Sequence, residues 1–180
     1  MSPSRDAVPV PGSERAPLAG ARATGAAAAD ERVEVTVIVR PRAEAAPFSA
    51  HAWGEAPPAE RTYMTRGELA DAQGAEAADV EAVARFAKEH GLTVLETSAA
   101  RRSVSLGGTV EQMSAAFGVE LHRYEHEGGS YRGRTGAVHV PAELEQVVEA
   151  VLGLDDRPVA SPRLVARDAG PGIAGPLAVD

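Results

Sequence analysis

Between residues 32 and 40 a valine stands at every second position. Val33, Val35, Val37 and Val39 share one side, and Glu34, Thr36 and Ile38 share the other. A period of two marks a strand with one buried and one wet face, and Pro41 ends it. Such a strand requires something to cover its valine side, and the following residues supply the cover. Thr65 with Glu68 three positions on is a reciprocal capping pattern, and Gly74 closes the short helix it begins. Over residues 79–90, Val80, Val83, Ala84 and Ala87 line one helical face with Phe86 at its shoulder, and Gly91 offers a left-handed stop. Residues 92–97 and 102–106 read as two short strands around the turn Ser98-Ala99-Ala100, with Val104 and Leu106 toward the core. Thr109 and Gln112 repeat the capping pattern for a helix carrying Val110, Met113, Ala116 and Phe117, which Gly118 terminates.

The stretch 117–158 is the densest in signals. Val119 and Leu121 alternate with Glu120 and His122, so residues 119–125 read as a strand. Glu127-Gly128-Gly129 supplies a hairpin turn, and residues 131–134 return antiparallel. The order strand, helix, strand, strand, helix, strand predicts an α+β fold of the split βαβ, or ferredoxin-like, plan: an antiparallel sheet with two helices on one face. Pro141 in a first helical turn, followed by Leu144, Val147, Val148, Val151 and Leu152 up to Gly153, predicts an extra C-terminal helix. Residues 1–30, rich in Pro, Gly, Ala and Ser, read as a flexible leader, and 155–180 as an extended linker or tail. The domain between them is 31–154. Residues 45–60, with Pro47, Trp53, Pro57 and Pro58, read as a loop.

Charge narrows the partners. Lys and Arg total 18 against 26 Asp and Glu, a net charge of -8 that repels a phosphate backbone, so no nucleic-acid partner is expected. No apolar run reaches the ~18 residues of a membrane span, and no signal peptide is visible. Without cysteine there is neither a thiolate nucleophile nor a thiolate metal site.

No catalytic, metal or cofactor site is expected. Thr97-Ser98-Ala99 lacks the flanking glycine that exposes a nucleophilic serine. His122 and His126 would stand about 13 Å apart on a strand, too far to share an ion, and His139 lies further along the chain. Gly107-Gly108 before a helix is a weak anion-binding turn, because Glu111 occupies the place of the anion. Arg101-Arg102 has no aromatic neighbours to suit nucleic acid. What remains is the sheet face opposite the helices, with Thr36, Ile38, Ser103, Ser105, His122 and Tyr124. A small-polar face with a few apolar anchors suits a protein surface, a ligand platform or plain solvent.

The string AFGVELHRYEHEGGSYRGRTGAVHVP (116–141), with VLGLDDRPVASP (151–162), resembles the propeptide of the sedolisin family, the serine-carboxyl peptidases, in its kumamolisin-like form. The similarity covers roughly residues 32–167 and thins between 41 and 62. It implies an intramolecular chaperone and inhibitor of an acid-acting peptidase, applying the open sheet face to helices of the catalytic domain. The family's catalytic serine sits in a Gly-Thr-Ser-type turn served by a Glu and an Asp, and this chain has no such element, so no enzyme activity is expected of it. The resemblance also implies that the tail, with Pro162, Arg163, Leu164, Val165 and Arg167, enters the substrate cleft and is cut there, near Arg163-Leu164. The partner, a serine-carboxyl peptidase catalytic domain, acts in cis in the family and would act in trans if the chain ends at Asp180. An extracellular location follows from the same resemblance. Near pH 4 about half of the carboxylates are neutral, so ion pairs from Glu34, Glu120 or Glu125 to a partner would weaken in acid. The competing expectations are a small-molecule-binding ferredoxin-like domain and a truncated remnant without its peptidase.

Overall fold

The structure, a computed structural model, describes residues 6–45, 57–61 and 63–158. The valine strand, β3 (Arg32–Val39), lies inside a four-stranded antiparallel sheet with β4 (Thr93–Ser98), β5 (Ser103–Thr109) and β9 (Val148–Leu152), in the order β4-β5-β3-β9. Counted along the chain this is second, third, first, fourth, the order of the split βαβ plan. Val33, Val35, Val37 and Val39 are all buried, as are Val104 and Leu106 beside them.

Three α-helices occur among the described residues: α1 (Arg66–Gln73), α2 (Ala77–Glu89) and α3 (Val110–Phe117). α2 buries Val80, Val83, Phe86 and Ala87, and α3 buries Val110, Met113, Ala116 and Phe117. The two meet through Phe86 and Phe117, with ring centroids 5.6 Å apart, and share one apolar cluster with the valines of β3. Each fully buried side chain of this kind contributes about 1.5–3 kcal/mol, so this shared core is the main support of the sheet. Both capping boxes form. The Thr65 and Thr109 hydroxyls accept from the backbone of Glu68 and Gln112, whose side chains accept in return from the threonine amides. Gly118 and Gly91 are left-handed at φ 59° and 68°. Gly74 closes α1 differently. Its φ is -66°, and glycine is needed because a Cβ would lie 2.4 Å from the Ala70 carbonyl oxygen.

The C-terminal helix expected from Pro141 onward does not form. Pro141 ends strand β8 (His139–Pro141), Ala142–Leu144 is one 3₁₀ turn, and Val148–Leu152 is the strand that closes the sheet against β3. The misreading has a specific cause. Val151 pairs with Val37 and Val148 with Val39, and a β-bulge between them takes up the odd residue. The bulge puts two valines three positions apart on one face, which is helical spacing without a helix. The consequence passes to the strand at 119–125, which was expected to be fourth in this sheet. It is β6 (His122–His126) and belongs to a second, three-stranded sheet of order β2-β6-β7, with β2 at Arg22–Ala26 and β7 at Gly129–Gly133.

The leader is also not a loose end from residue 6 onward. β1 (Ala7–Pro9) pairs with β8, and β2 (Arg22–Ala26) pairs with β6. Val10 is buried and its amide donates to the Val138 carbonyl at 2.8 Å. All five β2 residues are exposed, so this strand is held by backbone hydrogen bonds and leaves no apolar period to read. The loop expected at 45–60 lies largely outside the described residues, and its end, Pro58–Glu60, is a 3₁₀ turn.

Candidate functional site

The strand register places the outward-facing residues in rows. Glu96, Ser105, Thr36 and Leu152 form one row across the sheet, and Ser98, Ser103, Ile38 and Ala150 form the next. Leu95 sits at the bulge of β4 and lies across Gly107, where a Cβ would stand 3.4 Å from its methyl groups. Leu95 and Leu152 are 50% and 52% exposed, large values for leucines. α3 takes the opposite face, where the Met113 methyl comes within 3.3 Å of a Cβ position at Gly108. The open face therefore has a floor of Ser, Thr, Gly and Ala, with Leu95 over β4, Leu152 on β9 and Ile38 between them.

Of the six face residues expected from the sequence, Thr36, Ile38, Ser103 and Ser105 come together here. His122 and Tyr124 do not, because β6 is in the other sheet. Tyr124 is buried and stacks on Tyr131 with centroids 5.1 Å apart, and His122 stands 3.6 Å from Glu120 and edge-on to Tyr124. The tail residues Pro162, Arg163, Leu164, Val165 and Arg167 lie outside the described residues. Ser98 serves its turn, its hydroxyl accepting from the Arg101 amide at 3.1 Å. Among the described residues no three His, Asp or Glu side chains gather as metal ligands, and no helix is long and apolar enough to cross a membrane. Two clefts, of about 210 and 340 Å³, are lined without Thr36, Ile38, Ser103 or Ser105.

A second feature escaped the sequence reading. Arg132 and Arg134 on and after β7 are 7% and 4% exposed. Arg134 donates to the Ser13 carbonyl at 2.6 Å and to that of Gly136, holding the 13–15 loop. Burial and the charges of Arg15 and Arg157 press its pKa below the usual guanidinium value. Arg132 reaches the segment by which the chain leaves the body. A charged strand followed by Asp155-Asp156-Arg157 was visible in the sequence, but no local rule links groups more than twenty positions apart.

Comparison with known proteins decides the family. The family model described as "Pro-kumamolisin, activation domain" matches residues 19–157. The chain belongs to the pro-kumamolisin activation-domain family. It is 39% identical over 145 residues to kumamolisin from Bacillus sp. (strain MN-32), an alignment covering 79% of this chain and 26% of that protein. It is 26% identical over 165 residues to tripeptidyl-peptidase sed5 from Aspergillus fumigatus, covering 83% of this chain and 28% of the other. Sedolisin from Pseudomonas sp. (strain 101) is 31% identical over 87 residues, covering 48% and 15%. The chain thus spans about a quarter of the length of the first two relatives, and the matched part is the activation domain.

Proposed function

We propose that this activation domain is a folding template and inhibitor for an acid-acting serine-carboxyl peptidase. The open face of the four-stranded sheet docks on the peptidase, and the chain beyond Pro158 blocks its substrate cleft. The observation that carries this reading is the open face itself, small-polar across the middle with Leu95 and Leu152 half exposed. A floor of serine, threonine and glycine lets a helix approach closely, and exposed leucines provide anchors of the kind that dominate interface energies. Tethering in the family's single-chain arrangement keeps the local concentration of the blocking segment high, and without a tether the same contacts act in trans.

The acid response has a candidate on this face. Glu34 is exposed in the strip beside Gly107; Glu96, exposed in the first row, is already paired with Arg101. Protonating such carboxylates removes any ion pairs they make with a partner. Glu125 pairs instead with Arg22 on the second sheet, and Glu120 neighbours His122 there, which leaves Glu34 as the member of the original three placed to act.

Titration of the purified chain against a kumamolisin-like peptidase tests the reading. Inhibition is expected at neutral pH and should weaken by pH 3.5. Ile38→Asp or Leu152→Glu should weaken it by about tenfold or more, while His122→Ala leaves it unchanged. Fragment sequencing should place the first cut near Arg163-Leu164. Equal inhibition by wild type and both face variants would reject the docking surface, and constant inhibition from pH 7 to 3.5 would reject the acid response.

A further inference from the structure

The segment from Gly153 to Arg157 carries the chain out of the body without regular secondary structure, yet charged groups hold it along its length. Arg132 is the centre of this hold. Its Nε donates to the Leu154 carbonyl and its Nη2 to the Gly153 carbonyl, each at 3.2 Å. Its Nη1 donates to Glu31 Oε1 at 2.5 Å and stands 3.7 Å from Asp156 Oδ2. The backbone makes the same junction in both directions: the Arg132 amide donates to Asp156 Oδ1 at 2.5 Å, and the Asp156 amide donates to the Arg132 carbonyl at 3.0 Å. The second oxygen of Glu31 accepts from Arg123 at 2.7 Å, so one carboxylate ties β6 and β7 to the entrance of β3.

One residue before Asp156, Asp155 accepts from the Arg157 amide at 3.0 Å and from its Nε at 2.8 and 2.9 Å. Gly133 makes room, since a Cβ there would lie 3.2 Å from the Asp155 carboxylate. Arg157 lies over the Tyr131 ring, 5.4 Å from its centroid, and donates to the Ala16 carbonyl at 2.9 Å. The charges around this exit are thus Glu31, Asp155 and Asp156 against Arg123, Arg132 and Arg157, with Arg134, Arg15 and Glu14 behind them.

Removing one partner of a buried pair is much costlier than the pair is worth, because the remaining charge is stranded. Protonation of Asp155 would do this to Arg157, its nearly buried partner, without removing an atom. Burial alone would raise the Asp155 pKa, but the hydrogen bonds from the side chain and amide of Arg157, with the charges of Arg157 and Arg134, outweigh it and hold the carboxyl below the usual aspartate range. The sign follows. A carboxylate whose folded pKa is depressed stabilises the closed arrangement fully above the ordinary value of about 3.9, and that contribution is lost as pH falls from there through the folded value. The core under the four-stranded sheet is built of valines, leucines and phenylalanines, which do not titrate.

We propose that Arg132 and Arg157, with Glu31, Asp155 and Asp156, form an acid-labile clamp that fixes the path of the departing chain at neutral pH and frees it in acid while the four-stranded sheet stays folded. Its use in unblocking a peptidase cleft rests on the function proposed above. The clamp itself belongs to this chain alone and is tested without a peptidase.

Amide hydrogen exchange on the full chain, corrected for the intrinsic pH dependence of exchange, reads it directly. Between pH 7 and pH 3 the protection of the Asp156 amide should fall by about tenfold or more, the scale set by a charge-assisted hydrogen bond, while Val35, Val37 and Val104 keep theirs. Asp155→Asn and Glu31→Gln, which preserve shape, should each lower the Asp156 protection already at pH 7 and shrink the further loss in acid. Undiminished protection at pH 3, or loss of protection at Asp156 and the β3 valines together in one step, overturns the clamp. A clamp that opens in a chain unable to inhibit a peptidase removes the function and leaves the clamp standing; inhibition with an exit that stays closed in acid does the reverse.

Discussion

Gly153 stands where β9 becomes the exit, with φ at +101° and the Glu34 carbonyl oxygen 2.6 Å from where a Cβ would be. Both the dihedral and the backbone contact forbid a side chain. Gly153→Ala should therefore cost about 2–4 kcal/mol in urea unfolding. Gly12→Ala, also at positive φ (+71°) but with open space around it, should cost only about 1 kcal/mol. The sequence marked Gly153 correctly as a boundary but assigned the wrong element to it, because a glycine at a helix stop and a glycine under a neighbouring strand are written with the same letter. At this scale Arg132 was illegible. Its neighbours in sequence say nothing of Glu31, and a buried guanidinium is recognisable only once its acceptors are in place.

Elements that carry their own start and stop signals were read well. Both capping boxes are local, four-residue devices, and the expected helices stand behind them. Their energetic weight differs with what each helix covers. α1 buries none of its residues, whereas α3 buries four, and the Gln112 side chain also donates to the Gly91 carbonyl at 2.8 Å. Thr109→Ala should lower global stability by about 1 kcal/mol, while Thr65→Ala should fray α1 and leave the global unfolding midpoint unchanged; thermal unfolding with residue-level exchange separates the two. β9 was lost at this scale because its bulge imitates helical spacing. Val147, Val148 and Val151 are β-branched, a hint toward strand that the apolar period outweighed.

For the whole molecule, the first test concerns the amino-terminal residues. Deleting residues 1–26 removes β2 from the edge of β6, β1 from β8, and the buried Val10, so the melting temperature should drop by at least about 5 °C. A loose leader would leave it unchanged. The ferredoxin-like plan was legible as an order of elements, and the open face followed from the parity of β3 and β5, which is why Thr36, Ile38, Ser103 and Ser105 were placed together. His122 and Tyr124 were assigned there only because β6 was given the place that β9 occupies. The sequence by itself determined what depends on neighbours within a turn or two: the alternation of β3, the capped helices, and the hairpin of β6 and β7. The tertiary structure alone decided which strand pairs with the free edge of β3, what becomes of residues 6–26, and which charged groups meet at the exit. Strand pairing and buried ion pairs join groups far apart in the chain, and their free energy comes from backbone and charge contacts that no local period records.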